Sequence, residues 1–280
     1  MDVNGLRFWM LSTRDDWGAA ASRGLQYCDG SARLQLLSAS GAQAPPEDRT
    51  LAGARLTATP IARDRFDNYA RWDASSGHVV AGGSGPGEVL IYTPPPHADV
   101  TDLVLAEDGV LYLAVGGALV LVDRRGRWDD VTLSVPGFTF WRLCAHPHGG
   151  VLALDRTNAQ VGRVTGVPLP NVAAEQRAPG ILAPCEENPD PPRISARYAL
   201  PAGESFVALT RAPSGFALLS WSATTPAAAS LRAFDETAGI GDAVLLHGVQ
   251  WPYALAWVEE RRFAVLATNT NEALIFDLAT

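Results

Sequence analysis

Two histidines and a cysteine have the types and spacing that come closest to a metal site in this sequence. His146 and His148 are two positions apart, so they would share one face of a β-strand, and Cys144 is close by. Histidine and cysteine bind zinc, but no further ligand stands at the spacing that a tetrahedral site needs. The pattern favours the polar end of a β-hairpin, and the sequence predicts no metal.

Glycine-rich segments and catalytic motifs are the other candidates for chemistry in this sequence. Residues 82–87 have the composition of a phosphate-binding loop, but they include no lysine and no helix follows, so a hairpin loop is the better interpretation. The sequence contains no GxSxG nucleophile elbow, no HExxH motif and no GxGxxG that opens a helix. We therefore expect a protein that is not an enzyme, has no cofactor and takes no small-molecule substrate.

Residues 102–123 indicate which elements position these side chains. Three short apolar runs, at residues 103–105, 110–115 and 119–122, are separated by an Asp-Gly corner and a Gly-Gly corner. Such corners suit tight hairpins because aspartate and glycine tolerate a positive φ. Short runs rich in Val and Leu are typical of strands. The stretch is predicted to be an antiparallel meander, and residues 131–135 are predicted to add its outermost strand.

The same plan recurs along the chain. Further units of short apolar runs and turn residues occupy residues 25–37, 68–92, 141–164, 206–234 and 253–278. Recurrence at about forty residues, with three or four strands in each unit, is the signature of propeller blades. We therefore predict an all-β fold, a β-propeller of about six irregular blades, that forms a single domain over residues 1–280.

A proline-rich segment at residues 168–201 interrupts the repeats. Proline cannot donate to a strand ladder, so this segment is not a central strand, and a loop of such length is usually functional or disordered. Ile181, Leu182, Ile194 and Tyr198 are apolar enough to anchor it on a partner or on the propeller rim. We predict that these four residues and Trp17 form a protein interface.

Composition limits the partners and the compartment. The net charge of −8 argues against nucleic acid, because phosphate contacts need clustered basic residues. Three widely spaced cysteines do not form a disulfide framework, which indicates a reducing compartment. No apolar run has the length of a membrane span, and the N-terminal residues lack the apolar region of a signal peptide. We expect a cytoplasmic protein.

The N-terminal residues resemble a known family. The opening DVNGLRFWML, followed by RDDW, is similar to that of phage-tail-like proteins encoded with contractile injection systems, which are tail-derived particles related to phage baseplates. The matching residues are Asn4, Gly5, Arg7, Phe8, Asp15, Asp16 and Trp17. In that family the opening leads into a propeller-like region. The resemblance implies a structural subunit without catalytic residues, whose partners are other particle subunits and which leaves the cell in the assembled particle.

Two alternatives remain open beside this leading hypothesis of a non-enzymatic tail or baseplate subunit. One is a propeller enzyme that resembles the lactonases, which gather Glu, Asn and Asp around a divalent cation in the central channel. Asp73, Asp102 and Asp155 are its candidate ligands, but equivalent places carry Leu, Cys, Ala and Trp as often as carboxylates. Asp108, Asp123 and Asp155 are explained more simply as turn residues. The other alternative is a generic intracellular scaffold propeller.

Overall fold

A computed structural model describes most of this chain. The described residues are 8–11, 34–38, 58–63, 69–73, 75–82, 88–123, 131–166, 192–212, 214–222, 228–246, 249, 252–259, 262–267 and 272–277. They contain 21 strands and no helix, so this part of the chain has no helical segment that could cross a membrane. The predicted all-β class is confirmed.

The first sheet follows two short N-terminal strands, β1 (Phe8–Leu11) and β2 (Leu34–Ser38). It contains, as consecutive neighbours, β3 (Ala58–Arg63), β4 (Tyr69–Asp73), β5 (His78–Gly82) and β6 (Val89–Tyr92). Gly77 adopts a φ of 70° at the corner between β4 and β5, a conformation that glycine reaches without strain. The predicted unit at residues 68–92 is therefore a meander.

The second sheet is the meander predicted at residues 102–123. Its strands are β7 (Val100–Leu105), β8 (Val110–Val115), β9 (Ala118–Asp123) and β10 (Val131–Leu133), in that order across the sheet. Gly109, Gly116 and Gly117 all have positive φ, as the Asp-Gly and Gly-Gly corners require. Every residue of β8 is buried, which shows that both faces of this sheet are covered.

The third sheet has the strands β11 (Arg142–Ala145), β12 (Val151–Asp155), β13 (Gln160–Val164) and β14 (Ile194–Ala199). Its outermost strand β14 lies inside the segment that was predicted as a proline-rich insertion at residues 168–201. That boundary is corrected, because the stretch between Pro192 and Pro201 contains no proline and can complete a ladder with β13. Residues 167–191 lie outside the described residues.

The fourth sheet contains the longest strands, β15 (Ser205–Ala212), β16 (Gly215–Ser222), β17 (Ala228–Asp235) and β18 (Gly239–Leu246). The fifth consists of β19 (Pro252–Glu259), β20 (Arg262–Ala267) and β21 (Glu272–Asp277), and β2 joins it by pairing in parallel with β21. The unit predicted at residues 25–37 is therefore not a separate blade where it is described. Its strand fills the open edge of the last meander, which has only three strands of its own.

Apolar layers between successive sheets form the core of one of two compact units, which contains β4 to β14. Tyr112 and Leu121 belong to the layer between the second and third sheets, whereas Leu111 and Leu113 belong to the layer between the first and second. This alternation with a period of two buries both faces of the second sheet. The other unit contains β1, β2 and β15 to β21.

The repeated small meanders are the architecture of a β-propeller, as predicted. Described residues form five sheets, compared with the prediction of about six blades. The difference lies in the unit predicted at residues 25–37, because its described strand β2 belongs to the fifth sheet, and the exact number of blades stays a prediction. That the whole chain is a single domain stays a prediction.

Candidate functional site

Two of the five predicted interface residues are described, and both lie on β14. Ile194 and Tyr198 are half-buried, and Ile194 packs against the apolar layer between the second and third sheets. Trp17, Ile181 and Leu182 lie outside the described residues. The structure thus brings Ile194 and Tyr198 together on one strand, and their role in contacting a partner stays a prediction.

Polar contacts hold β14 against its own sheet and the neighbouring turn. The guanidinium of Arg197 stacks on the Phe138 ring at 5.7 Å and donates to the carbonyls of Pro136 and Gly137 at 3.3 and 3.4 Å. At the start of the strand, the Thr165 N–H donates to the Arg193 carbonyl at 2.9 Å. This strand is therefore a packed part of the sheet.

Asp102, a candidate cation ligand, links the first strands of the second and third sheets. Its Oδ2 accepts a hydrogen bond from the backbone N–H of Leu143 at 2.7 Å. Beside it, Arg142 donates to the Thr101 carbonyl at 2.6 Å, and the Thr101 hydroxyl donates to the Trp141 carbonyl at 3.0 Å. A carboxylate buried to this extent needs such donors, so strand linkage explains Asp102 without a metal ion.

Asp108 makes an equivalent link between two hairpin corners. It is fully buried, and its Oδ2 accepts hydrogen bonds from the Tyr112 hydroxyl at 2.7 Å and from the Gly150 N–H at 2.8 Å. Gly150 has a φ of 68°, and a Cβ there would overlap the Gly166 nitrogen. Only glycine lets the two corners approach closely enough for this hydrogen bond.

Asp155 closes the turn between β12 and β13. It accepts hydrogen bonds from the Asn158 amide at 2.8 Å, the Gln160 amide at 3.0 Å and the Thr139 N–H at 3.0 Å. Burial raises the pKa of Asp155, but these hydrogen bonds outweigh it and hold the pKa below its ordinary value. The side chain is a turn former, which agrees with the simpler of the two interpretations of the sequence.

Asp73 and the histidine pair are likewise engaged at hairpin corners. The hydrogen bond from the Ser75 hydroxyl at 2.6 Å lowers the pKa of Asp73, although burial opposes it. His146 is buried and accepts the His148 N–H on Nδ1 at 3.1 Å, whereas His148 is exposed. No three His, Cys, Asp or Glu residues in the described part of the chain are placed to hold one metal ion. The candidate ligands therefore serve separate corners and strands.

A network that the sequence did not reveal connects three strands of the fourth sheet with the residue that precedes β15. Glu204, just before β15, forms an ion pair with Arg232 of β17 at 2.5 Å and accepts the Ser220 hydroxyl of β16 at 2.5 Å. Arg232 also donates to the Gly241 carbonyl of β18 at 3.0 Å. The hydrogen bond from Arg232 lowers the pKa of Glu204, and burial opposes it without cancelling it. Such a long-range pair has no local sequence signal.

Large exposed apolar side chains lie on two outermost strands. Val89 and Leu90 of β6 are 68% and 53% exposed, and Val244 and Leu245 of β18 are 40% and 50% exposed. The sequence analysis missed β18 because glycines interrupt the first half of its pattern. The apolar run at residues 243–246 was the signal that could have found it.

Comparison with known proteins supports the fold. No protein-family model matches this sequence, and no curated protein matches it. A chain in the crystal structure of a mitotic checkpoint complex is similar with a TM-score of 0.51 at 13% identity, over 90% of this chain and 92% of that one. A streptogramin B lyase has a TM-score of 0.49 at 13% identity, over 79% of this chain and 69% of that one. The Swd1 beta-propeller domain of Myceliophteria thermophila has a TM-score of 0.48 at 14% identity, over 86% and 87%. Similarity at identities this low shows the fold alone, and that fold is an all-β propeller.

Proposed function

We propose that this chain is a non-enzymatic propeller subunit of a phage-tail-like contractile injection particle, associated with its tail or baseplate. The observation that carries the proposal is the N-terminal opening with Asn4, Gly5, Arg7 and the Asp-Asp-Trp motif that ends at Trp17. In proteins that resemble it, this opening leads into a propeller-like region. The propeller fold of the present chain is consistent with that organisation.

The use of the buried acidic groups supports a structural role. An active site gathers an acid, a base and stabilising donors around one cavity. Here Asp102, Asp108 and Asp155 are each occupied by backbone N–H groups and side chains that hold strands and corners together. These carboxylates stabilise the propeller, and this use supports a role in protein contacts over a role in catalysis.

Isolation of the particle tests the proposal. We expect the chain to sediment with sheath and tube proteins in extracts of the source organism, and its gene to stand beside sheath, tube and spike genes. Deletion of the gene should reduce the yield of complete particles, and the wild-type gene should restore it. Complete particles in normal number from the deletion strain would overturn the proposal. We expect the chain in the cytoplasm before assembly and in the released particle afterwards.

An enzymatic role is tested separately on the isolated chain. We expect no divalent-cation-dependent hydrolysis of lactones or phosphoesters. The decisive variants are Asp102→Asn and His148→Ala, with Asp235→Asn in an exposed turn as the matched control. An activity that either of the first two variants abolishes, at unchanged thermal stability and with a normal control, would contradict the non-enzymatic assignment.

A further inference from the structure

The outermost strand of the fourth sheet has a flat half and a bulged half. Residues 243–246 pair with residues 229–232 of β17 in continuous register. Further toward the start of β18, the register shifts between Arg232 and Phe234. A bulge bends an edge and discourages pairing with another chain, whereas a flat apolar edge invites it. The part of β18 suited to pairing is therefore the run Ala-Val-Leu-Leu at residues 243–246.

This flat half is open on both faces. Val244 and Leu245 follow one another, so their side chains point to opposite faces of the sheet. Their exposed fractions are 40% and 50%, and Ala243 is exposed as well. Leu246, which follows, is only 1% exposed. The edge is thus anchored at one end by a buried leucine and uncovered along the rest of the run.

The other described outermost strands are shorter, more polar or, in the fifth sheet, already paired. Strands β6 and β10 have four and three residues, and the exposed positions of β14 are Ser195, Arg197 and Ala199. In the fifth sheet a remote segment has been added to the edge, since β2 pairs with β21 from Leu34 opposite Ala273 to Ser38 opposite Asp277. This chain therefore already contains one sheet whose outer edge is completed by a strand from a distant segment.

Charge decides between a second copy of this chain and a different partner. Asp242 is exposed directly before the run, and the nearby cation Arg232 is engaged by Glu204 and by the Gly241 carbonyl. A second copy would bring the same carboxylate to the same edge, on a chain whose net charge is −8. Like charges across an interface disfavour association, whereas opposite charges select a partner.

We propose that β18 accepts an extended segment of another protein as an added strand along residues 243–246. The segment has apolar residues that pack beside Val244 and Leu245 and a basic residue that faces Asp242. Backbone hydrogen bonds to the free edge supply the affinity, and the side chains supply the selectivity. This inference rests on the edge of β18 and not on the N-terminal resemblance, so it stands or fails independently of the particle proposal.

Two synthetic peptides probe the edge in solution. The basic one is fluorescein-labelled Thr-Val-Lys-Val-Thr-Val-Arg-Val-Thr, and the acidic one has Glu in place of Lys and Arg. Fluorescence anisotropy with the full chain should show that the basic peptide binds at least about tenfold more tightly than the acidic one. The substitution Leu245→Lys should abolish this binding, whereas Leu90→Lys on the outermost strand β6 should leave it unchanged.

Proline substitutions test whether outward backbone N–H groups of β18 bind the peptide. Successive N–H groups of an edge strand point alternately toward the sheet and away from it, so only one of Val244→Pro and Leu245→Pro removes an outward donor. That variant should keep its melting temperature and lose the peptide, whereas the other should lose stability because it breaks the ladder with β17.

Four outcomes would overturn the inference. They are the absence of peptide binding by the wild-type chain, equal binding of the acidic peptide, unchanged binding by Leu245→Lys, and self-association of the wild-type chain that Leu245→Lys abolishes. The last would mean that a second copy occupies the edge. If both proline variants unfold, the comparison of Leu245→Lys with Leu90→Lys still decides.

Discussion

Hairpin corners that join the second and third sheets differ from the outer strand of the fourth sheet in how their polar groups are used. At the corners, Asp108 is fully buried and satisfied by donors from two sheets, and glycines bring the backbones into contact. Along β18, five consecutive residues from Gly241 to Leu245 are exposed. The difference teaches that stacked sheets use buried polar groups to hold their corners together, whereas the outer edge leaves its residues exposed to solvent.

Substitution of Asp108 by alanine should have the largest effect on stability. The change leaves the Tyr112 hydroxyl and the Gly150 N–H without their buried acceptor, and each such group costs about 1–3 kcal/mol. We expect a loss of about 3 kcal/mol or more in the free energy of unfolding, measured by urea denaturation. Asp235→Ala, in the exposed turn before β18, is the control and should cost much less. Equal losses would erase the distinction between corner and edge.

The room available for a Cβ atom at two glycines, Gly166 near the corners and Gly241 on β18, gives a second comparison of the two regions. A Cβ at Gly166 would overlap the Gly150 backbone and the Asp108 carboxylate, whereas at Gly241 of β18 its nearest neighbour is the Ala233 carbonyl at an ordinary 3.5 Å. We expect Gly166→Ala to cost about 2 kcal/mol because of overpacking. Gly241→Ala should be neutral, or stabilise by up to about 0.5 kcal/mol, because it restricts the unfolded chain. Thermal unfolding of both variants in one buffer measures these changes in stability. An unchanged melting temperature of Gly166→Ala would mean that the corners have room to separate.

The elements that sequence reasoning found are those with local causes. The meander from β7 to β9 was predicted because its Asp-Gly and Gly-Gly corners need the positive φ that Gly109, Gly116 and Gly117 adopt. The strand β18 was missed because Gly239 and Gly241 break the apolar pattern that identifies strands.

Relations between distant parts of the chain could not be predicted in the same way. The parallel pairing of β2 with β21 brings residues 34–38 beside residues 273–277, and no local turn residue predicts such a pairing. The hydrogen bond from Gly150 to Asp108 likewise depends on the stacking of two sheets. The sequence did indicate that Asp108 and Asp155 belong to turns, but their buried partners required the tertiary structure.

Substitution of Glu204 by glutamine should have the smallest of the three effects and a distinctive pH dependence. Glu204 links Arg232 and Ser220, and the carbonyl of Gly241 shares the same guanidinium, so the pair helps to hold β18 on its sheet. The side chains of Glu204 and Arg232 are partly exposed, and we expect a loss of about 1 kcal/mol at pH 7.

The direction of the pH dependence follows from the lowered pKa of Glu204. Its hydrogen bond from Arg232 places the pKa of the folded state below the ordinary 4.5, so the unfolded chain takes up a proton at a higher pH than the folded chain does. The stabilisation is therefore complete above pH 4.5 and is lost as the pH falls through the folded-state pKa. Urea denaturation of the wild type and of Glu204→Gln between neutral and acidic pH should show two stability curves that converge toward acid. Curves that stay parallel would mean that Glu204 does not stabilise the sheet through its charge, and that β17 and β18 are held by their ladder alone.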